Sequence, residues 1–552
     1  MKRVQLPRWF KIVSIALAIL LVAILAGLIA LGWYVKNQML NSGGKLPASM
    51  AAYDIRHFDL AVEVFPADQR IEGRNVVTIA TLEGLSRFEI NLDDRLEVES
   101  VTADGVACTF HHRDGVISAE LSSPWVAGER HEVSIVYGGK PKIALKAPWI
   151  DGFVWSETPG HQPWIGVTGE GDGGDNWWPC KDHPSDEPDE GMEIALTVPA
   201  GLVGLSNGRL LDETDNDDGT VTSRWRVSYP INNYLVTVNI APYVPIEERY
   251  HGVDGNLDVP LVFWSVPEYD VHARAMWPQM PGILEVLGRR FGEYPFLADK
   301  FAVVHAPYLG MEHQTLVAYG AMFTDNDFGF DELLLHEVAH EWWGNKVTVS
   351  DWADFWIHEG FATYAEALYV DDTRGEERYL DYMRRIRQRV RNRKPIVLGE
   401  NMTSAQAYSG DIYRKGAWVL HTLRWLLGDE DFFEVIWRFA DGDHPDACRL
   451  VSTLDLEALV GEVSGRELGW FWERYLHRAK EPRWRVKRRS EGDRERVEIR
   501  WDDSDFELPL PVVVGGEERR LEMPGGRASF LVERDTVLEI DPDGRVLAKA
   551  KD

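Results

Sequence analysis

The sequence predicts an α+β multidomain chain: an N-terminal transmembrane helix, a β-sandwich or saddle-shaped sheet domain, a mostly helical domain and a small C-terminal β-domain. Three observations predict it. An uncharged apolar run, Ile12–Tyr34, lies near the start. Period-two alternation then dominates to about residue 245, as half-buried strands require. Helical periodicity follows from about residue 265 to near 480, after which alternation returns. With 552 residues the chain is too long for one hydrophobic core.

The first element is predicted over residues 1–35. Its apolar run, at about 1.5 Å per residue, is long enough to cross a hydrocarbon layer of about 30 Å. Lys2, Arg3, Arg8 and Lys11 precede it, and Trp33 and Tyr34 close it. Positive flanks stay in the cytoplasm, which predicts a single-pass protein with the rest of the chain on the outer, periplasmic or extracellular, side. A cleaved signal peptide is the competing reading, but its apolar stretch runs only about 7–15 residues. No cysteine nearby supports lipid modification. Residues 36–52, with "NSGGKLPAS", read as a short flexible tether.

Residues 53–245 form the predicted β-domain. "FDLAVEV" alternates Phe58, Leu60, Val62 and Val64, and "RFEINL" and "HEVSIVY" follow the same pattern. Residues 246–480 form the mostly helical domain, with helical patterns in "ERYLDYMRRIRQRVRNR", "GAWVLHTLRWLLG" and "GRELGWFWERYLHR". Residues 481–552 return to strands in "RVEIRW" and "LPLPVVV". No internal repeat is present.

Lys and Arg total 59 against 89 Asp and Glu, a formal charge of −30. Such a surface repels phosphates and excludes nucleic acid as a partner. Three cysteines, Cys108, Cys180 and Cys448, give no disulfide framework.

The chemistry concentrates in "HEVAHEWWGN". On a helix, His336 and His340 share a face, being four residues apart. Two imidazoles about 2.0–2.1 Å from one ion suit zinc. Glu337 points about 100° around the helix, where it reaches a water on the ion's open side. A pair of ordinary histidines is the alternative, and the next segment decides between them. "DWADFWIHEGFATYAEALYV" reads as a second helix, and Glu359 follows His340 after an 18-residue gap. That gap holds a helix stop, the strand-like "KVTVS" and a turn, enough to return Glu359 to the ion. A solvated helix carboxylate is the competing reading. Among Phe355, Trp356, Ile357 and Phe361, a carboxylate suggests a paired or metal-bound group.

His336-Glu337-Val338-Ala339-His340 with Glu359 resembles the gluzincin zinc peptidases, and more narrowly the aminopeptidase N family. "WWGN", "DWADFW" and "EGFATYAEAL" match that family's usual sequence. The resemblance implies a β-domain, a thermolysin-like catalytic domain, a small β-domain, one zinc ion and peptides with a free N-terminus as substrates. In "LGMEHQT", Gly310, Met311 and Glu312 resemble the exopeptidase signature, and Glu312 is implied to bind the substrate α-amine. His313 stands where asparagine is common. A carboxylate fixed near zinc also favours the first peptide bond on physical grounds, by holding an ammonium. Tyr413 in "DIYRKGAWVL" resembles the family tyrosine that donates to the oxyanion, with a packed core tyrosine as the alternative. Counting back ten residues from Cys180 gives Glu170, implied as a second amine ligand, with a simple turn carboxylate as the alternative.

The implied activity is a zinc-dependent aminopeptidase with Glu337 as general base and then acid. A membrane-anchored, non-catalytic peptide-binding protein is the alternative, as is another hydrolase, endopeptidase or epoxide hydrolase, on the same scaffold. Many family members carry a large helical C-terminal domain over the site; its absence from this sequence predicts a more open cleft.

Overall fold

The computed structural model describes residues 17, 19–27, 29, 41–320, 323–442 and 448–551. A long antiparallel hairpin, Tyr53–Phe65 with Arg70–Thr81, founds an eight-stranded sheet. Tyr53–Phe65 pairs in parallel with Met192–Pro199 on its other edge. Phe58, Leu60, Val62 and Val64 are all buried, so the alternation in the sequence is the inward face of this sheet. A four-stranded sheet holds Gly152–Glu157 and Pro163–Thr168. The chain leaves Thr168 directly into the glycine-rich turn that carries Glu170.

Between the β-rich part and the helices lies a five-stranded sheet. Its strands run in the order Val244–Tyr250, Val259–Ser265, Phe301–His305, Val317–Tyr319 and Gly310–Met311. The sequence predicts helices here, and the difference has a simple cause. Phe301–His305 is buried at every position, so it has no alternation, and a short apolar run does not separate strand from buried helix.

Four helices frame the centre: α1 (Glu332–Ala339), α2 (Trp356–Arg374), α3 (Glu376–Arg387) and α4 (Gly410–Leu427). α2 is buried nearly all round, as befits a helix at the middle of a core. At the C-terminal end, Arg494–Trp501 lies between Arg483–Glu491 and Arg527–Glu533, and Leu510–Val514 lies in a separate three-stranded sheet. This part docks on the helices through His421 Nε2 to the Gly544 carbonyl, 2.9 Å, and the Tyr475 hydroxyl to the Leu547 carbonyl, 3.1 Å.

Two expectations are corrected. The first is the single-pass anchor over residues 1–35, with the membrane as partner and an outward-facing catalytic part. Among the described residues no helix is long and apolar enough to cross a membrane. The ends of Ile12–Tyr34 and its basic flank lie outside the described residues.

The second is the free tether. Ser42–Gly44 is clamped between two parts of the fold. Ser42 N donates to the Gly171 carbonyl, Gly43 N to Asp182 and Gly44 N to Met402, while Ser404 N donates back to Ser42. A Cβ on Gly43 would meet the Trp352 ring at 2.4 Å. That contact explains a glycine which the sequence suggests is merely flexible.

Candidate metal centre

Asp331 caps α1 by accepting from Leu334 N. The regular helix ends at Ala339, earlier than the sequence predicts, yet His340 keeps right-handed helical dihedrals (φ −66°, ψ −16°). The i, i+4 relation therefore survives. His336 Nε2 and His340 Nε2 stand 3.3 Å apart. Glu359, in the first turn of α2, places Oε2 3.3 Å from His336 Nε2 and 3.6 Å from His340 Nε2. Tetrahedral ligands about 2.0–2.1 Å from an ion are separated by about 3.3 Å, so these three donors fit one small cation. Among the described residues they form the one such group.

The remaining imidazole nitrogens are fixed. His336 Nδ1 lies 2.8 Å from Glu366 Oε1, and the Tyr382 hydroxyl on α3 donates to the other oxygen of Glu366. His340 Nδ1 donates to the Trp343 carbonyl at 2.7 Å. These contacts set the tautomers that leave both Nε2 atoms facing the cation. The sequence reading missed Glu366, though a signal exists: it lies seven residues after Glu359, two turns along the same face of α2.

Glu337 lines the same space. A Cβ on Gly310 would sit 2.8 Å from Glu337 Oε1, so Gly310 makes room for this carboxylate. Burial pushes the Glu337 carboxyl up to about 8, against the two histidines and with help from Glu312. Glu359 is the opposite case. Burial pushes it up, but the hydrogen bonds to His336 and His340 outweigh that and hold it well below the usual carboxylate range.

Tyr413 on α4 lays its ring near the His336 ring, centroids 5.9 Å apart and planes 20° from parallel. Burial, then the charges of Glu359 and Glu170, push its phenol well above the ordinary value, so it stays a donor at neutral pH. Its position depends on two glycines. A Cβ on Gly416 would lie 2.8 Å from Gly360 Cα, so α2 and α4 cross with their backbones in contact.

Glu312 follows the strand Gly310–Met311, and Met311 is buried. Asn345 Nδ2 donates to the Glu312 carbonyl at 3.0 Å, so the "WWGN" stretch holds the loop. Glu170 arrives from the β-rich part on a turn fixed by Asp151, whose Oδ2 accepts from Gly171 N at 2.7 Å and Asp172 N at 3.1 Å. Glu170 and Glu312 are 9% and 3% exposed, and Oε1 of each has no hydrogen-bond partner. Burial, then Glu312 and Glu359, pushes Glu170 well above the usual range. Burial likewise raises Glu312, opposed by His340. Two buried carboxyls thus share a space, each with one oxygen that no donor reaches. His313 is fully buried with neither ring nitrogen paired, and lies outside this constellation.

Residues 286–475 match the Peptidase family M1 domain. That stretch of the chain is therefore similar to the M1 zinc peptidases. The M1 match covers α1 to α4. Aminopeptidase B of Mus musculus is 23% identical over 440 residues, covering 70% of this chain and 63% of the relative. Endoplasmic reticulum aminopeptidase 2 of Homo sapiens is 35% identical over 276 residues, 46% of this chain and 28% of the relative. The chain therefore spans less than two thirds of the length of those relatives. Among solved structures, a two-domain M1 zinc metallopeptidase bound to L-tryptophan superposes with a TM-score of 0.67 at 23% identity, over 80% of this chain and 97% of that one. An M1 zinc metallopeptidase from Deinococcus radiodurans gives 0.66 at 25% identity, over 80% and 96%. The shared architecture is the two-domain M1 fold of mixed sheets and helices.

Proposed function

We propose that this protein is a zinc-dependent aminopeptidase that hydrolyses the first peptide bond of peptides with a free N-terminus. One observation carries the reading: a metal-competent triad stands beside two buried carboxylates, each with one oxygen that lacks a hydrogen-bond partner. A substrate α-ammonium supplies the missing donors, and its distance from the triad limits cleavage to the first bond.

In this reading His336, His340 and Glu359 hold the ion. Zinc bound there supplies Lewis acidity to the scissile carbonyl and acidifies a neighbouring water. Glu337 accepts a proton from the attacking water and passes it to the leaving amine. The Tyr413 hydroxyl donates to the oxygen that gains negative charge, a contact stronger in the transition state than in the ground state. Gly310 and Met311 line the approach, and Glu312 with Glu170 pins the amine. The M1 resemblance further supports dividing the chain into a β-domain over 53–245, a thermolysin-like catalytic domain over 246–480 and a small β-domain over 481–552.

A panel of aminoacyl-coumarins tests the proposal. Turnover is expected with free amines, lost on chelation and restored by zinc. Cleavage of N-acetylated peptides at comparable rates would replace it with an endopeptidase.

A further inference from the structure

Beside the paired carboxylates lies a cavity of about 120 Å³ walled by Trp149, Glu170, Asp172, Phe355, Ala405 and Tyr408. We propose that this cavity receives the side chain of the substrate's first residue and selects a single apolar ring, of phenylalanine or tyrosine, over a cationic side chain. The proposal rests on the aminopeptidase reading above and adds the substrate class.

Position comes first. Glu170 belongs both to the cavity wall and to the unpartnered pair with Glu312. On the other side, the Tyr408 ring meets the Tyr413 ring edge-on at 6.1 Å. An amine held at Glu170 and Glu312, with its carbonyl at Tyr413, puts the first Cα between those groups. The cavity is the space open to the side chain on that carbon.

Size comes second. A dry apolar cavity of about 150 Å³ accepts one benzene, so a space of about 120 Å³ takes one ring and leaves no room for two. The walls are aromatic. Phe355 is a buried floor, with its ring 6.3 Å from that of Tyr408. Trp149 and Tyr408 stay 44% and 37% exposed, which is unusual for aromatic surface beside a buried site and gives an entering ring edge and face contacts. The walls are also held in place. Trp149 N donates to the Lys146 carbonyl at 2.9 Å, and Lys146 Nζ sits 4.6 Å from the indole centroid. Tyr408 follows the short helix Ser404–Ala407, which is closed by the Thr403–Gln406 capping box.

Charge decides between an apolar and a basic occupant. Two acids border the cavity, which alone would favour lysine or arginine. Asp172 is already ion-paired with Lys142, their side chains 3% and 1% exposed. Glu170 is taken by the α-ammonium in the proposed mode. No acid remains to neutralise a cationic side chain, and an unpaired charge in such a space is strongly disfavoured.

The test measures kcat/KM of the full-length zinc-loaded protein on phenylalanyl-, tyrosyl-, leucyl-, alanyl- and arginyl-coumarin. Phenylalanyl and tyrosyl substrates are expected to exceed alanyl by about 10-fold or more, the range one apolar pocket contact provides, and to exceed arginyl. The exposed-site variants Trp149→Ala and Ala405→Phe should each lower the phenylalanyl-to-alanyl ratio, the first by removing a wall and the second by filling the cavity. Binding is read separately by calorimetry of phenylalaninamide and argininamide on the Glu337→Gln protein. Turnover led by arginyl or alanyl substrates, tighter binding of argininamide, or a ratio unmoved by both variants would overturn the side-chain proposal while leaving an aminopeptidase. Zinc-loaded protein that cleaves no substrate of the panel and binds neither amide would overturn the aminopeptidase reading itself.

Discussion

The two sides of the cleft are built on opposite principles. On the metal side every group is spoken for: His336 by Glu366, His340 by the Trp343 carbonyl, and Glu366 in turn by Tyr382. On the side proposed to hold the amine, Glu170 and Glu312 are also buried, yet each keeps an oxygen without a partner. A satisfied polar network is rigid and accepts its ion without rearrangement. An unsatisfied buried acid is costly until a counter-charge arrives. In the proposed reading, the contrast separates a permanent ligand from a transient one.

Four experiments break or sharpen that contrast. Glu337→Gln, between the two sides, removes the proton acceptor and should lower kcat by about 10³-fold or more, with zinc content by elemental analysis unchanged. Retained turnover would take Glu337 out of the mechanism. Glu312→Ala, on the unsatisfied side, should lower kcat/KM on free-amine peptides by about 10- to 100-fold, the worth of one charged hydrogen bond. An equal loss on N-acetylated peptides would show that Glu312 does not hold an amine. Glu366→Gln, on the satisfied side, should weaken zinc affinity by about 10-fold or more in a chelator competition. Unchanged affinity would mean that the contact to His336 is incidental.

The fourth effect is the smallest and reads the turn that carries Glu170. Burial, then Asp172, pushes the Asp151 carboxyl up to about 7. The unfolded chain releases this proton near the ordinary aspartate value, so folding takes up a proton between about pH 4 and 7. Its contribution to stability is therefore lost as pH rises through that window and is level above it. Asp151→Asn keeps the oxygen that accepts from Gly171 and Asp172. It should flatten the pH dependence of Tm in this window, by at most about 1.4 kcal/mol per pH unit. An unaltered slope would assign the pH dependence to other acids.

The metal side was largely legible in the sequence because it is local. His336, Glu337 and His340 lie within five positions, and an 18-residue gap holding one short strand and a turn returns the chain to them at Glu359. The helix boundary was placed too late because Glu341 and Trp342 are compatible with a helix, whereas the chain tightens after Ala339. Glu366 was legible in principle from its place two turns beyond Glu359. The amine side was harder to read because Glu170 and Glu312 come from segments far apart in sequence, joined only by folding. The five-stranded sheet was missed because its buried strands carry no alternation. The clamped Ser42–Gly44 was missed because glycine and serine have the same composition in a linker as in a tight contact. The N-terminal apolar run predicts a span that the structure does not support: among the described residues no helix is long and apolar enough to cross a membrane.

The crossing at Gly360 and Gly416 has a wider consequence. With no side chain between the helices, the spacing of Glu359 and Tyr413 is set by main chain pressed on main chain. Trp149 and Ala405, on the wall of the neighbouring cavity, belong to other segments. Exchanges at those outer positions leave the reaction geometry where it is, so the choice of substrate and the chemistry performed on it are free to evolve along separate tracks.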